Sequence, residues 1–365
     1  MWQIALLSER LYGLVTIVNQ EYPTSPVDDG KPVEFSELKR LVEQRGLLNK
    51  QPAYYTYKII LTLSILGAGF ALLILLDNFA LQLIAAPFLA FAYGQVGLVG
   101  HDAGHQAIFR SPRRNIIAGF AVSFLISLSQ TWWVQQHNKH HRYPNDMELD
   151  PHVQLPVLAF SKDTALMKKG VLRFIVRYQA FYFVPFLILE GVGIRLAGIH
   201  YLISTRNIKA LFNDSMLMLF HFVLYFGLLF YIFEPLQVLA FTLVHQLLYG
   251  LYLGLVFAPN HKGMLIPDRS KPLNYLYNQI LTTRNIKPNR FVDFFYGGLN
   301  YQIEHHLFPA MPRNNLSKAR KIVKPFCEEH GILYYETGTF LSLKKILSHL
   351  HEVAAPLRAN LKINK

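Results

Sequence analysis

The stretch IILTLSILGAGFALLILLDNFALQLIAAPFLAFAYGQVGLVG, Ile59 to Gly100, contains no Lys or Arg. It is about twice the ~20 apolar residues that cross a bilayer. Asp77-Asn78 interrupts it near its middle, which divides it into a hairpin of two spans, 59–76 and 79–99. A second base-free block runs from Ser215 to His261 and turns at Glu234-Pro235. Proline lacks a donor and clashes with a preceding helical turn, so it suits that stop. The second hairpin is expected over 216–233 and 236–258. Outside the blocks the 36 basic residues divide as 7, 13 and 16 over the three remaining segments, and both hairpin turns carry acid but no base. By the positive-inside rule all three segments face the cytosol.

The whole chain agrees with a membrane protein. It has 365 residues, of which 52% are hydrophobic and 16% charged, against about 25% charged for soluble domains. The formal charge of +13 does not mark a nucleic-acid partner, because it is excluded from two long blocks and gathers on segments facing membrane lipid. The one cysteine, Cys327, leaves no internal disulfide. The expected fold is all-α and integral to the membrane, with two transmembrane hairpins under a cytosolic helical cap. Residues 1–58 form a cytosolic arm before a membrane domain of 59–365. Within the arm, Leu38, Leu41, Val42 and Arg45 stripe an amphipathic helix over 36–48. Ile4 to Leu7 is too short for a secretory signal core. Residues 115–133 and 174–203 are apolar but carry polar groups, and are expected to lie in the interface or, if both span, to raise the count to six. A last amphipathic helix, with Leu343, Ile346, Leu347 and Leu350, is expected to dock on the protein's own cytosolic layer.

Fifteen histidines are present, and seven fall in three five-residue strings: HDAGH at 101–105, HNKHH at 137–141 and QIEHH at 302–306. Chance would place fewer than one there. His101 and His105 are four apart; His137, His140 and His141 have the spacing i, i+3, i+4, and Gln302, His305 and His306 repeat it. Residues three and four apart share a helix face, so each string aims its nitrogens one way. All three lie on the basic side, and the first begins just past the second span. Converged, they make a cage of imidazoles, a ligand suited to Zn, Cu, Fe and Ni. Seven histidines exceed the three or four protein ligands of a zinc site, so two metals are more economical than one. There is no cysteine cluster, no H-E-x-x-H and no Glu with a His three residues on, which excludes iron–sulfur centres, that zinc protease motif and a Glu-x-x-His carboxylate cage.

In the context HDAGHQAIF, HNKHHRYPND and LNYQIEHHLFP, these boxes resemble those of the membrane fatty acid desaturases, over roughly residues 35 to 355. The likeness is to the acyl-CoA and acyl-lipid branch whose third box opens with Gln. It implies an O2-dependent enzyme that places a cis double bond in the acyl chain of an acyl-CoA or acyl-lipid. It also implies two non-haem Fe ions, held by His101, His105, His137, His140, His141, His305 and His306. Gln302 stands where other branches have histidine, and would bind an iron loosely or orient a water. His261 matches a further ligand by position; the alternative is a membrane-border histidine near lipid phosphate. Carboxylates holding the free imidazole N–H groups are sought at Asp102, Asp146, Asp150 and Glu304, each of which could equally be a surface ion pair or helix cap. Trp132 and Trp133 would wall an acyl tunnel or sit in an interfacial aromatic belt. No His-Pro-Gly-Gly string of a fused haem domain occurs in residues 1–58, so electrons are expected from a separate donor such as ferredoxin, cytochrome b5 or a flavin reductase. Two other readings share parts of the pattern: a di-iron alkyl or carotenoid hydroxylase, and a non-catalytic metal-binding receptor or transporter. A transporter would place its ionisable ligands near the bilayer midplane, and here the boxes lie outside the spans. His221 and His245, inside spans three and four, are expected to be neutral packing residues.

Overall fold

The computed structural model describes residues 33–363. The Ile4–Leu7 stretch and most of the expected arm lie outside that range. Apart from loops, the described chain is helical except for a two-residue parallel pairing of β1 (Asn285–Ile286) with β2 (Glu336–Thr337). The helices in order are α1 (Phe35–Gln44), α2 (Pro52–Leu75), α3 (Phe79–Gly104), α4 (Pro112–Ile126), α5 (Gln130–Arg142), α6 (Lys162–Met167), α7 (Gly170–Arg177), α8 (Gln179–Leu187), α9 (Glu190–Ser204), α10 (Ile208–Ile232), α11 (Pro235–Phe257), α12 (Tyr275–Leu281), α13 (Arg290–Phe295), α14 (Gln302–Leu307), α15 (Arg313–Glu329), α16 (Thr339–Val353) and α17 (Ala355–Ile363).

Among the described residues four helices, α2, α3, α10 and α11, are long and apolar enough to cross a bilayer. Their apolar side chains face outward in numbers that water would not tolerate; Ile60, Leu75, Ile84, Phe212, Tyr231 and Leu236 are all at least 60% exposed. Two of these helices begin seven residues before the base-free blocks. Hydropathy marks where lipid starts, whereas helix ends follow caps: Pro52 occupies the first turn of α2, and Asn207 caps α10 through the Ala210 N–H. Asn78 caps α3 by accepting from the Ala80 and Leu81 N–H groups. The first histidine string does not follow the second span as expected. It is the last turn of α3 itself, which runs unbroken through Gly104.

The two central spans, α3 and α11, cross closely at Gly94. A Cβ there would fall 1.8 Å from the Tyr252 ring. Tyr252 in turn donates to the Phe295 carbonyl and accepts from Gln95, and Gln95 accepts from Lys58. The segments expected as interface helices are broken. α4 meets α5 at 112°, and α8 meets α9 at 80°. On the polar side, α1 buries Leu38 and Val42 against α12, α14 and α15. α16 buries Ile346 and Leu350 against Val153, Leu158, Phe183 and Leu187, so this last amphipathic helix docks on the protein itself.

Candidate metal centre

Four local structures carry the histidines. The C-terminal turn of α3 ends in His101, with His105 as its cap residue. α5, capped by Ser129 accepting from the Trp132 N–H at 3.3 Å, carries His137, His140 and His141. α14 carries Gln302, His305 and His306, all buried. His261 follows the short turn that ends α11. Their ring nitrogens gather in two groups, within each of which the atoms lie no more than 4.8 Å apart. His101, His105, His137, His141 and His305 form the first; His140, His261 and His306 form the second.

Neighbouring Nε2 atoms are separated by 3.1 Å (His101–His137), 3.2 Å (His137–His141), 3.1 Å (His141–His305) and 3.3 Å (His140–His261). Two nitrogens ~2.1 Å from a shared metal are ~3.0 Å apart at a right angle and ~3.4 Å apart at a tetrahedral angle. The observed edges fall in that interval. The Nε2 atoms of His105 and His306 are buried with no hydrogen-bond partner in the structure. Burial first, and then the mutual repulsion of the rings, holds His105, His137, His141, His261, His305 and His306 well below the ordinary imidazole range. They are neutral, and a neutral imidazole whose Nδ1 holds the proton presents a lone pair at Nε2. Converging, unprotonated, partly orphaned nitrogens fit a pair of metal ions.

The backs of the rings are anchored in the same sense. His140 Nδ1–H donates to Asp150 at 2.9 Å, His306 Nδ1–H to Gln279 Oε1 at 2.9 Å, and His261 Nδ1–H to the Thr282 carbonyl at 3.3 Å. Asp150 is fully buried. Burial opposes its charge, and the His140 contact together with His152 and the Lys262 ammonium outweighs it, holding the carboxyl well below its usual range. Gln279 also donates to the His141 carbonyl at 3.0 Å, joining the second string to the third. Asn145, at φ 61°, donates to the carbonyls of His261, Leu265 and Thr282.

The remaining carboxylates behave differently from Asp150. Asp102 lies 3.5 Å from His101 Nδ1, a marginal contact, and is held instead by the Arg313 guanidinium and by the Tyr55 hydroxyl at 2.8 Å. Asp146 accepts from the Glu148 and Leu149 N–H groups and faces Arg269 at 3.4 Å. Glu304 turns away from the cage, accepting from Asn285 at 2.8 Å and the Tyr334 hydroxyl at 2.7 Å, and burial pushes its carboxyl up to about 7. It pins α14 from behind. Gln302 directs its amide NH2 at His261 Nε2 at 2.9 Å and accepts from Asn260 at 3.3 Å. Trp133 stacks on His137 with centroids 4.5 Å apart and closes over Gly104. Trp132 is half-buried and packs toward Gly198 of α9. His221 and His245 are buried in the span bundle, where His245 shares a 2.8 Å hydrogen bond with the Tyr225 hydroxyl.

Sequence reasoning did not find Gln279, Thr282, Asn145 or Arg313. Gln279 alone left a trace, as a polar residue on the buried side of YLYNQIL.

Known proteins share this arrangement of boxes and spans. The family sequence model described as fatty acid desaturase matches residues 77–338, which takes in all three strings and His261. The chain is 33% identical to the acyl-lipid (9-3)-desaturase of Physcomitrium patens, over 88% of this chain and 62% of that protein. It is 33% identical to the delta(6)-fatty-acid desaturase fat-3 of Caenorhabditis elegans, over 96% of this chain and 82% of that protein. A delta 8-(E)-sphingolipid desaturase of Kluyveromyces lactis is 28% identical, over 95% and 63%. The chain thus spans less than two thirds of the moss and yeast proteins it matches. With the family model covering three of the four candidate spans and every histidine of the cage, the chain belongs to the fatty acid desaturase family.

Proposed function

We propose that this chain is an O2-dependent desaturase that introduces a cis double bond into the acyl chain of an acyl-CoA or acyl-lipid. The observation that carries the reading is the meeting of eight buried imidazoles in two groups of five and three. Two iron ions would be held there, one by His101, His105, His137, His141 and His305, the other by His140, His261 and His306 with Gln302 beside it. When bound, the metal pair supplies an oxidant strong enough for an unactivated C–H bond. The balance is two hydrogens from adjacent methylenes plus two electrons and two protons from a donor, reducing one O2 to two waters.

The chain's own residues do the rest. Asp150, Gln279 and the Thr282 carbonyl hold protons at Nδ1 of His140, His306 and His261, and so keep Nε2 free as the ligand atom. The buried cage excludes water. Trp133, lying against His137 and His101, is placed to limit one side of an acyl chain's approach. Residues 59–365 act as the desaturase unit, its histidine side cytosolic by the distribution of Lys and Arg. Electrons come from a separate carrier protein, and an acidic one would suit the basic cytosolic face.

The test is expression in a host lacking the activity, with gas chromatography of its fatty acids. A new unsaturated acid is expected with the wild-type chain, and none with His140→Ala, whose iron content also falls. A hydroxylated product would replace the desaturase reading with the hydroxylase one. Full activity in His140→Ala would overturn the ligand assignment.

A further inference from the structure

The break between α4 and α5 holds two buried charges that the desaturase reading does not use. α4 ends at Ile126, Ser127 adopts φ 54° and ψ 63°, and α5 departs at 112° after Ser129. Arg195 of α9, 8% exposed, donates from Nη2 to the Ile126 carbonyl at 2.8 Å and from Nε to the Ser127 carbonyl at 3.2 Å. Its Nη1 donates to the Gly191 carbonyl and to Gln246 Oε1, each at 2.8 Å. Asp214 of α10, fully buried, accepts from the Ser129 hydroxyl at 2.8 Å and from the Thr131 N–H at 3.1 Å. Neither forms an ion pair among the described residues.

Each charge faces the helix end whose dipole it complements. The guanidinium sits on the carbonyl end of α4, and the carboxylate on the N–H end of α5. A buried charge without a counter-ion is costly, and here both are spent at one bend. From Ser129 to His141 the helix rises ~18 Å. A swing of about 5° at the elbow would carry the imidazoles ~1.6 Å, against the ~0.2 Å tolerance of metal–ligand distances. His137 and His141 serve the first nitrogen group and His140 the second, so one misaimed helix disturbs both.

We propose that Arg195 and Asp214 are positioning residues that lock the α4–α5 elbow and thereby aim the second histidine string into the cage. The proposal rests on the reading of that cage as a metal site. It is tested by cobalt(II) titration of the purified chain in detergent micelles, following the visible bands, with thermal unfolding measured alongside. Asp214→Asn and Arg195→Gln are expected to weaken cobalt at both sites about tenfold and to shift the bands. Leu73→Ala, in the α2 core, is expected to lower the unfolding temperature with the bands unchanged. Wild-type affinity and bands in Asp214→Asn and Arg195→Gln overturn the proposal, whatever their unfolding temperatures. If those variants do not accumulate, Gln246→Leu decides: it removes the side-chain acceptor of the Arg195 guanidinium and leaves the α5 cap intact, a smaller shift in the same direction is expected, and an unchanged spectrum overturns the proposal. Failure of the wild-type chain to bind cobalt would instead remove the metal reading itself.

Discussion

Among the described residues Asp150 makes the closest carboxylate contact to a caged imidazole, at 2.9 Å against 3.5 Å for Asp102 and His101, and Asp150→Asn separates its charge from its shape. In the wild-type chain Oδ2 accepts from His140 Nδ1–H and from the Asn145 N–H, both at 2.9 Å, while Oδ1 accepts from the His152 N–H at 2.8 Å. Three donors thus meet two oxygens. The substituted amide offers one oxygen, so either of its flips sets the NH2 against at least one of those donors. A hydrogen bond to a charged group contributes ~1.5–3 kcal/mol. In the flip that keeps the oxygen toward His140 the NH2 meets the His152 N–H, and the His140 bond survives without its charge; ~1.4 kcal/mol of lost orientation corresponds to about tenfold in metal affinity, the lower end of the 10–100-fold range for groups that orient a ligand. Of the two all-histidine groups His140 belongs only to the one of three, and its other grouping, with Asp150 and His152, contains the substituted residue itself, so the loss spares the five-histidine site. Iron analysis of purified protein under limiting metal is therefore expected to drop from two per chain toward one, with turnover falling in parallel. Two irons and wild-type turnover in Asp150→Asn would refute the assignment of this carboxylate to His140 and the division of the nitrogens into two groups.

Gln302→Ala should impair turnover more than it lowers iron content, because the amide stands beside a three-histidine group rather than within it; equal losses would argue against an auxiliary role. Arg313→Met leaves Asp102 with the Tyr55 hydroxyl and the marginal His101 contact, and removing one member of a buried ion pair costs about 3–5 kcal/mol. Thermal unfolding in micelles should show that loss, and an unchanged midpoint would count against a buried pair. Gly94→Ala drives a methyl into the Tyr252 ring, an overpacking of about 1–3 kcal/mol. Gly67→Ala, whose Cβ would meet nothing within 4 Å, should leave the midpoint unchanged or higher, and similar behaviour of the two would argue against the close crossing of α3 and α11. Removing bound metal with a chelator should lower the unfolding temperature, since a ligand that binds only the folded state stabilises it; a midpoint indifferent to chelation would place the metal elsewhere.

What sequence patterning can reveal here follows from what each contact requires. The spans are legible because lipid demands long unbroken apolarity, and the histidine strings because one helix face needs a fixed spacing. The elbow at Ser127 to Ser129 was hidden: residues 115–133 read as one apolar run with no Pro or Gly to mark the break after Ile126. Its causes, Arg195 and Asp214, lie about 70 and 85 residues further on, and no local pattern links them to it. Gln279, Thr282 and Asn145 are single residues with no periodicity, brought behind the rings by tertiary structure alone. Asp150 and Glu304 were equal candidates by nearness to a string, yet α14 presents Glu304 to Asn285 and Tyr334 on the side opposite the rings. Adjacent residues on a helix point about 100° apart, so proximity in sequence places a neighbour beside a ligand only when the chain turns back, as it does through Asn145 to Asp150.

The position of the cage at the helix ends follows from the same physics. At the bilayer midplane eight polar rings would each need a partner within hydrocarbon. At the border of the membrane the chain can supply partners from loops and a cap. α3 delivers His101 and His105 only in its last turn, α11 delivers His261 just past its end, and α5 and α14 are short helices beneath the spans. The ring backs are then held by Asp150, Gln279 and the Thr282 carbonyl, all from the polar segments. The fronts are left as neutral lone pairs facing one another, an arrangement unfavourable without a cation between them. Apolar burial in the hairpins and the two ion-clamped helix ends stabilise the frame that keeps the rings there, so the cage is preformed by parts of the molecule that never touch a metal.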